Sequence, residues 1–354
     1  MDKNHAWITC FVFWALLAHI SCVTAGQSGG AIIVNHNCTD LEKVPSSWIE
    51  KVKQSLVIAY GHTSHGSQIV SGMNVLSDTD PIYSFNSTGS NGALKFRDHA
   101  FSGDLGGHGD TSWADRTRNF LDSPENQDVN VVMWSWCGGV SSNTEDGINA
   151  YLAAMDALEQ EYPGVVFVYM TGHLDGTGLE GNLHARNEQI RNFCRTHGKV
   201  LFDFADIESY DPDGNFFLDK YANDGCFYDS DGDMTRDANW ADIWCDAHPG
   251  KCSTVSCAHS RSLNCDQKGK AAWWMFARLV GWSPDASVGG DVDGSGEIDI
   301  KDALFIARHA VGLPVSGFNE DAADVNCNGQ IDIVDALLVA RKAVGLTVNG
   351  WCGN

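Results

Sequence analysis

A stretch near the C-terminus is written twice. Residues 291–315 read DVDGSGEIDIKDALFIARHAVGLPV and residues 324–348 read DVNCNGQIDIVDALLVARKAVGLTV, identical at 16 of 25 positions with an offset of 33. Each copy opens on alternating oxygen-bearing residues and runs into a helix-period apolar pattern. Oxygens at positions 1, 3, 5, 7, 9 and 12 of a twelve-residue loop, with Gly at 6, are the spacing that Ca²⁺ requires. The first copy supplies Asp291, Asp293, Ser295, the Glu297 carbonyl, Asp299 and Asp302, with Gly296 at the turn. The second supplies Asp324, Asn326, Asn328, the Gln330 carbonyl, Asp332 and Asp335, with Gly329. Residues 291–354 are therefore expected to form a small all-α domain of paired loop–helix units holding two Ca²⁺ ions.

Position 12 is Asp in both copies, which departs from the EF-hand pattern of Glu. On those residues the stretch resembles the dockerin type I module. The resemblance implies calcium-dependent docking to a cohesin domain on a scaffold or cell-surface protein. After the ninth ligand such modules usually carry a Ser/Thr pair; here the positions read Ile300-Lys301 and Ile333-Val334. That points to a more apolar partner contact. The near-identity of the copies leaves two docking orientations open, related by a half-turn. The competing reading is a calcium-stapled cap with no partner.

Upstream lies enough chain for one large domain. The 354 residues are 43% hydrophobic and 19% charged, a globular composition, with a net charge of −23. Such acidity argues against nucleic acid and anionic membranes as partners. Residues 1–25 read as a secretory signal, with Lys3, the short apolar run from Trp7 to Leu17, and the small-residue site Val23-Thr24-Ala25. A secreted, extracellular protein is expected. No other segment has the apolar length of a membrane span. Of twelve cysteines, Cys10 and Cys22 fall in the signal, and the remaining ten are expected to pair as disulfides. For Cys245, Cys252, Cys257 and Cys265, zinc is the alternative, with His248 and His259 nearby. A Cys327–Cys352 bond would pin the C-terminus to the second calcium loop.

Residues 26–282 alternate strand and helix signals. Leu56–Tyr60, Val129–Trp136, Val165–Met170 and Val200–Phe204 are apolar runs that read as buried strands. Ile148–Tyr162, Asn182–His197 and Gly269–Val280 have helical periodicity. The alternation predicts an α/β domain, a parallel sheet covered on both faces. After the first of these strands comes Gly61-His62-Thr63-Ser64-His65-Gly66-Ser67. A Gly-flanked turn at the carboxyl end of a strand is where open α/β sheets build their sites. Ser64 reads as a nucleophile or as a cap of the next helix, and Ser67 is the other hydroxyl.

With Asp104–Thr111 (DLGGHGDT), the strand ending Trp136-Cys137-Gly138-Gly139, and a late His before a closing helix, the domain resembles the SGNH (GDSL-type) hydrolases. The resemblance implies a three-layer fold and serine ester hydrolysis, with a carbohydrate O-deacylase as the substrate expectation. It assigns Ser64 as nucleophile and His259 as base, and gives the oxyanion to the N–H groups of Ser64 and Gly106. His248, in Asp246-Ala247-His248-Pro249, is the rival base. Gly-Asp-Ser is absent from the turn, Gly139 or a neighbour falls where the family keeps Asn, and Ser256 falls where it keeps Asp. The alternative class is a non-catalytic carbohydrate-binding or structural protein on a degenerate SGNH fold. His62, His65, His108 and His173 also fall near strand ends, suggesting a polar pocket or a metal. Asp229, Asp231 and Asp233 offer oxygens for a third Ca²⁺, or form a solvated acidic loop. Residues 283–290 form a short linker.

Overall fold

The structure is a computed structural model, and it describes residues 30–284, 289–293, 295 and 297–352. The expected signal, linker residues 285–288 and Gly296 lie outside the described residues. Seven parallel strands form one sheet: β1 (Ile32–Val34), β2 (Val57–Gly61), β3 (Phe85–Asn86), β4 (Leu94–Phe101), β5 (Val131–Trp134), β6 (Val166–Met170) and β7 (Val200–Phe202). Their spatial order is β1-β7-β6-β5-β2-β4-β3. β5 is buried at every residue, and β2 and β6 at all but the first. Such strands need cover on both faces, which is why they read as unbroken apolar runs.

Helices α1 (Ser46–Ser55), α2 (Ser67–Thr79), α3 (Ser112–Leu121), α4 (Glu145–Glu161), α5 (Asn182–Thr196) and α6 (Phe204–Ile207) connect the strands. A segment with its own small core follows, holding hairpin strands β8 (Phe227–Tyr228) and β9 (Ala238–Asn239) and helix α7 (Trp240–Ala247). Helix α8 (Ser262–Leu279) closes the domain. It packs against α1 and α2, while α4 packs against α3 and α5. Contact between α2 and α8 is unusually close. A Cβ on Gly72 would stand 1.8 Å from the Cys265 carbonyl oxygen, and one on Gly269 would stand 2.2 Å from the Gly72 carbonyl carbon.

From β2 the chain runs to one side of the sheet, to β4, and then returns to the other side at β5. The loops after these strands diverge there, opening the crevice in which such sheets bind ligands. Sequence periodicity started the last helix at Gly269; it starts at Ser262. The first two turns carry Asn264, Asp266, Gln267 and Lys268, all buried. β1 and β4 belong to the sheet although no apolar run announced them.

The tail forms α9 (Ile300–Ala310) and α10 (Ile333–Ala343), packed on each other. Its core repeats with the sequence: Val292 with Val325, Ala303 with Ala336, Ile306 with Val339. Each helix starts with a capping box, Asp299 with Asp302 and Asp332 with Asp335. Disulfides join Cys245–Cys252, Cys257–Cys265 and Cys327–Cys352. The four clustered cysteines thus bond in pairs and are not a zinc site. Full pairing of ten cysteines is not what the structure has: Cys38, Cys137, Cys194 and Cys226 are free thiols. No described helix is long and apolar enough to cross a membrane.

Candidate functional site

β2 ends in the turn Gly61–Gly66, which two neighbours hold. His62 Nε2 lies 2.7 Å from Asp98 Oδ1 on β4, and Thr63 Oγ1 donates to Asp104 Oδ2 at 2.8 Å. Gly66 has no room for a side chain: a Cβ would stand 2.2 Å from Ser135 Oγ. Ser64 is left exposed at the tip. Ser67 donates its hydroxyl back to the Ser64 carbonyl at 2.6 Å.

His259 Nε2 lies 2.9 Å from Ser64 Oγ. Two constraints carry the ring there. His259 adopts the left-handed conformation (φ 62°) inside the loop that Cys257–Cys265 closes, and Gln68 Nε2 donates to the neighbouring Ala258 carbonyl at 2.5 Å. Gln68 sits on α2, one turn after Ser64, so the helix that follows the Ser64 turn also holds the His259 loop. His248 is elsewhere, stacked on Trp244 with its Nδ1 at 2.9 Å from the Trp244 carbonyl. Gly106 follows Leu105, which bridges Trp136 in parallel, so its loop lies beside the one after β5. The Thr63–Asp104 bond ties that loop to the Ser64 turn.

Cys137 and Asp224, which sequence reasoning had not assigned to the site, join it, together with His65 and His173, which it had placed near strand ends. Cys137 Sγ lies 3.2 Å from Ser64 Oγ and 3.3 Å from His65 Nδ1. The other His65 nitrogen, Nε2, lies 3.0 Å from Asp224 Oδ2. Rings of His173 and His259 stack on the two faces of His65 at 3.7 and 4.2 Å. Burial alone pulls the His65 pKa down, but the bonds to Asp224 and Cys137 outweigh it and leave it raised. Burial likewise pushes the Cys137 thiol up, while hydrogen bonds from Ser64, Thr63 and His65 bring it to about 7. For Asp224, burial is overcome by the His65 bond and the His173 charge, so its carboxyl sits below the usual range. Cys137 was legible as the residue after a strand, but the even cysteine count assigned it to a disulfide. Asp224 carried no local signal, because the hairpin segment brings it in from a distant part of the chain.

Behind the site runs a buried polar network. Lys268 Nζ on α8 lies 2.6 Å from Glu208 Oε1 and also bonds Gln68 Oε1. Glu208 Oε2 accepts the Leu174 N–H at 2.7 Å. Glu208 therefore links the closing helix to the loop after β6, and through Lys268 it reaches Gln68 on α2.

The tail loops are wound around their acidic residues. Buried Asp302 accepts the N–H groups of Val292 and Asp293 at 2.9 and 3.2 Å, and that of Asp299 at 2.8 Å. Asp335 accepts those of Asn326 and Asp332 at 3.2 and 2.9 Å. Ligand oxygens of Asp291, Asp293 and Asp302 converge within 4.8 Å, a fit to a hard cation. Lys301 Nζ contacts Asp293 Oδ2 at 2.6 Å; Val334 takes that position in the second copy. Both helices and the residues just after them expose matching apolar side chains: Ile300 and Ile333, Leu304 and Leu337, Val311 and Val344, Leu313 and Leu346. In the acidic segment, Asp229 spends its oxygens on the N–H groups of Gly232 and Met234, at 2.7 and 2.8 Å. Asp233 accepts from Thr235, and oxygens of Asp229, Asp231 and Asp233 also lie within 4.8 Å of one another.

No curated protein and no solved structure matches the chain. Among protein-family models, that of the dockerin type I domain matches residues 289–342. The wound acidic loops, the paired helices and this match together make the tail a dockerin type I domain.

Proposed function

We propose that this protein is an exported serine ester hydrolase of SGNH type, carried to its place of work by a calcium-dependent dockerin–cohesin contact. The observation that carries the catalytic half is the 2.9 Å contact between Ser64 Oγ and His259 Nε2. A hydroxyl within hydrogen-bond reach of an imidazole, on a strand-end turn, is the arrangement of an activated nucleophile. Ser64 attacks the acyl carbonyl, His259 takes the hydroxyl proton and returns it to the leaving alcohol, and the Ser64 and Gly106 N–H groups receive the oxyanion. Polysaccharide acyl esters are the substrate class, since exported dockerin-bearing domains of this kind suit work on extracellular polymers. Turnover of p-nitrophenyl acetate and acetylated xylan by wild type and Ser64→Ala tests the reading. A loss of about 10³-fold or more is expected; equal activity, or none in either protein, overturns it.

The docking half is supported by the family match and by the exposed apolar stripe that the two repeats share. Asp291, Asp293, Ser295, Glu297, Asp299 and Asp302 would hold one Ca²⁺, and Asp324, Asn326, Asn328, Gln330, Asp332 and Asp335 a second. The ion contributes the charge balance that lets the acidic residues stay together. A cohesin that binds the full chain equally well in calcium and in chelator would refute this part.

A further inference from the structure

The four free thiols differ in one respect. Cys38, Cys194 and Cys226 are buried, and burial raises all three, Cys226 to about 12. Cys137 is half-buried in the pocket and faces a histidine that is itself held by a carboxylate. His65 is 6% exposed, so its ring has little freedom to turn away. With Asp224 accepting the Nε2–H, the Nδ1 lone pair is directed at the Cys137 thiol. Nucleophile, base and orienting acid then stand in line at 3.3 and 3.0 Å. Among the described residues no carboxylate hydrogen-bonds His259; Asp224 lies within 4.8 Å of one of its ring nitrogens but bonds His65.

We propose that Cys137 is a second nucleophile of this pocket, activated by His65 and Asp224, which takes acyl groups from esters as thioesters. This rests on reading the pocket as an acyl-transfer site. The thiol proton passes to His65 Nδ1, and the sulfur attacks the acyl carbonyl carbon. A carbon–sulfur bond forms, the carbon–oxygen bond to the alcohol breaks, and the His65 imidazolium protonates the departing oxygen. Water then attacks the thioester, gives its proton to His65, and releases the acid and the thiolate. Asp224 remains ionised throughout and stabilises the imidazolium. Ser64 Oγ, 3.2 Å from the sulfur, turns its single proton to the thiolate only while it is not donating to His259 Nε2. A thiol brought near neutrality by its surroundings is in large part thiolate at working pH, whereas a serine hydroxyl never is.

The test uses the full chain in calcium: wild type, Ser64→Ala, Cys137→Ala and Asp224→Asn. Each is mixed with p-nitrophenyl acetate, quenched in acid and digested, and the acetylated peptide is located by mass spectrometry. An acetyl group on the Cys137 peptide of Ser64→Ala, released by hydroxylamine, is expected. Iodoacetamide labelling of Cys137 should titrate near pH 7 in wild type and move toward the ordinary thiol value of about 8.5 in Asp224→Asn. Acetyl on Ser64 alone, with Cys137→Ala as active as wild type, overturns the inference and leaves the serine reading intact. Acetyl on Cys137 with Ser64→Ala fully active supports the inference and removes Ser64 as nucleophile. If neither residue is acetylated, both fall. A labelling midpoint that Asp224→Asn leaves unmoved also counts against the relay.

Discussion

Lys268→Met is the most informative single change for the domain's stability. Both partners of the Lys268–Glu208 pair are fully buried, with 0% side-chain exposure. The ammonium also bonds Gln68 and lies 3.7 Å from the Phe204 ring centroid. Methionine fills the space of the stem and removes only the charge. Glu208 would then keep the Leu174 N–H at 2.7 Å and a weak approach from Asn264 at 3.5 Å. Breaking one side of a buried pair costs about 3–5 kcal/mol, because it strands the other charge. The combination Lys268→Met with Glu208→Gln removes the stranded charge while leaving an oxygen for Leu174. It should recover about 1–3 kcal/mol of the loss, the usual range for coupled neighbours. Urea unfolding in calcium, followed by tryptophan fluorescence, gives both numbers. A Lys268→Met cost below about 1 kcal/mol, or a double variant no better than the single, would refute the buried-pair argument. Hydrolysis should fall in parallel, since Gln68 loses the partner that steadies its hold on the Ala258 carbonyl beside His259.

Other consequences are open to measurement. Gly72→Ala gains helix propensity but drives a Cβ into the Cys265 carbonyl, and overpacking of about 1–3 kcal/mol should win, lowering the urea midpoint. The His65–Asp224 pair has a pH signature. With His65 raised and Asp224 lowered, its contribution is full between the unfolded values of about 3.9 and 6.5. It fades as pH climbs through the raised His65 pKa or falls through the lowered Asp224 pKa. The stability gap between wild type and Asp224→Asn should therefore be wider at about pH 5.5 than at about pH 9; a gap that widens with rising pH contradicts the pairing. In the tail, Leu304→Asp or Leu337→Asp alone should weaken cohesin binding only about twofold, through loss of one of two equivalent orientations. Together they should abolish it, as titration calorimetry would show.

Much of the fold was readable because its signals were local. The central strands announce themselves because both faces are apolar, and the tail because each ligand sits at a fixed loop position. β4 hid because it alternates, with Lys95, Arg97 and Asp98 between buried Leu94, Phe96 and Phe101. The start of α8 hid because its first turns are polar yet buried: Lys268 bonds Glu208, Asp266 accepts from Ser253 and Gln267 donates to Thr39. The Ser64–His259 contact was approachable from chain order. The Cys137–His65–Asp224 line was not, since it depends on how three separated segments meet.

The ring that Cys257–Cys265 closes around His259 ties the proposed base to the chemistry of the compartment. Inside a reducing cytosol the bond stays open, and the loop is free to leave its left-handed conformation and carry the imidazole off Ser64. A newly made chain would then be folded but silent, and would acquire its activity only on reaching an oxidising exterior. Cys257→Ser with Cys265→Ser should reproduce that silence outside the cell, with kcat reduced and the overall fold retained. On the proposed reading of ester hydrolysis and export, that bond would keep the activity away from the cell that makes the protein.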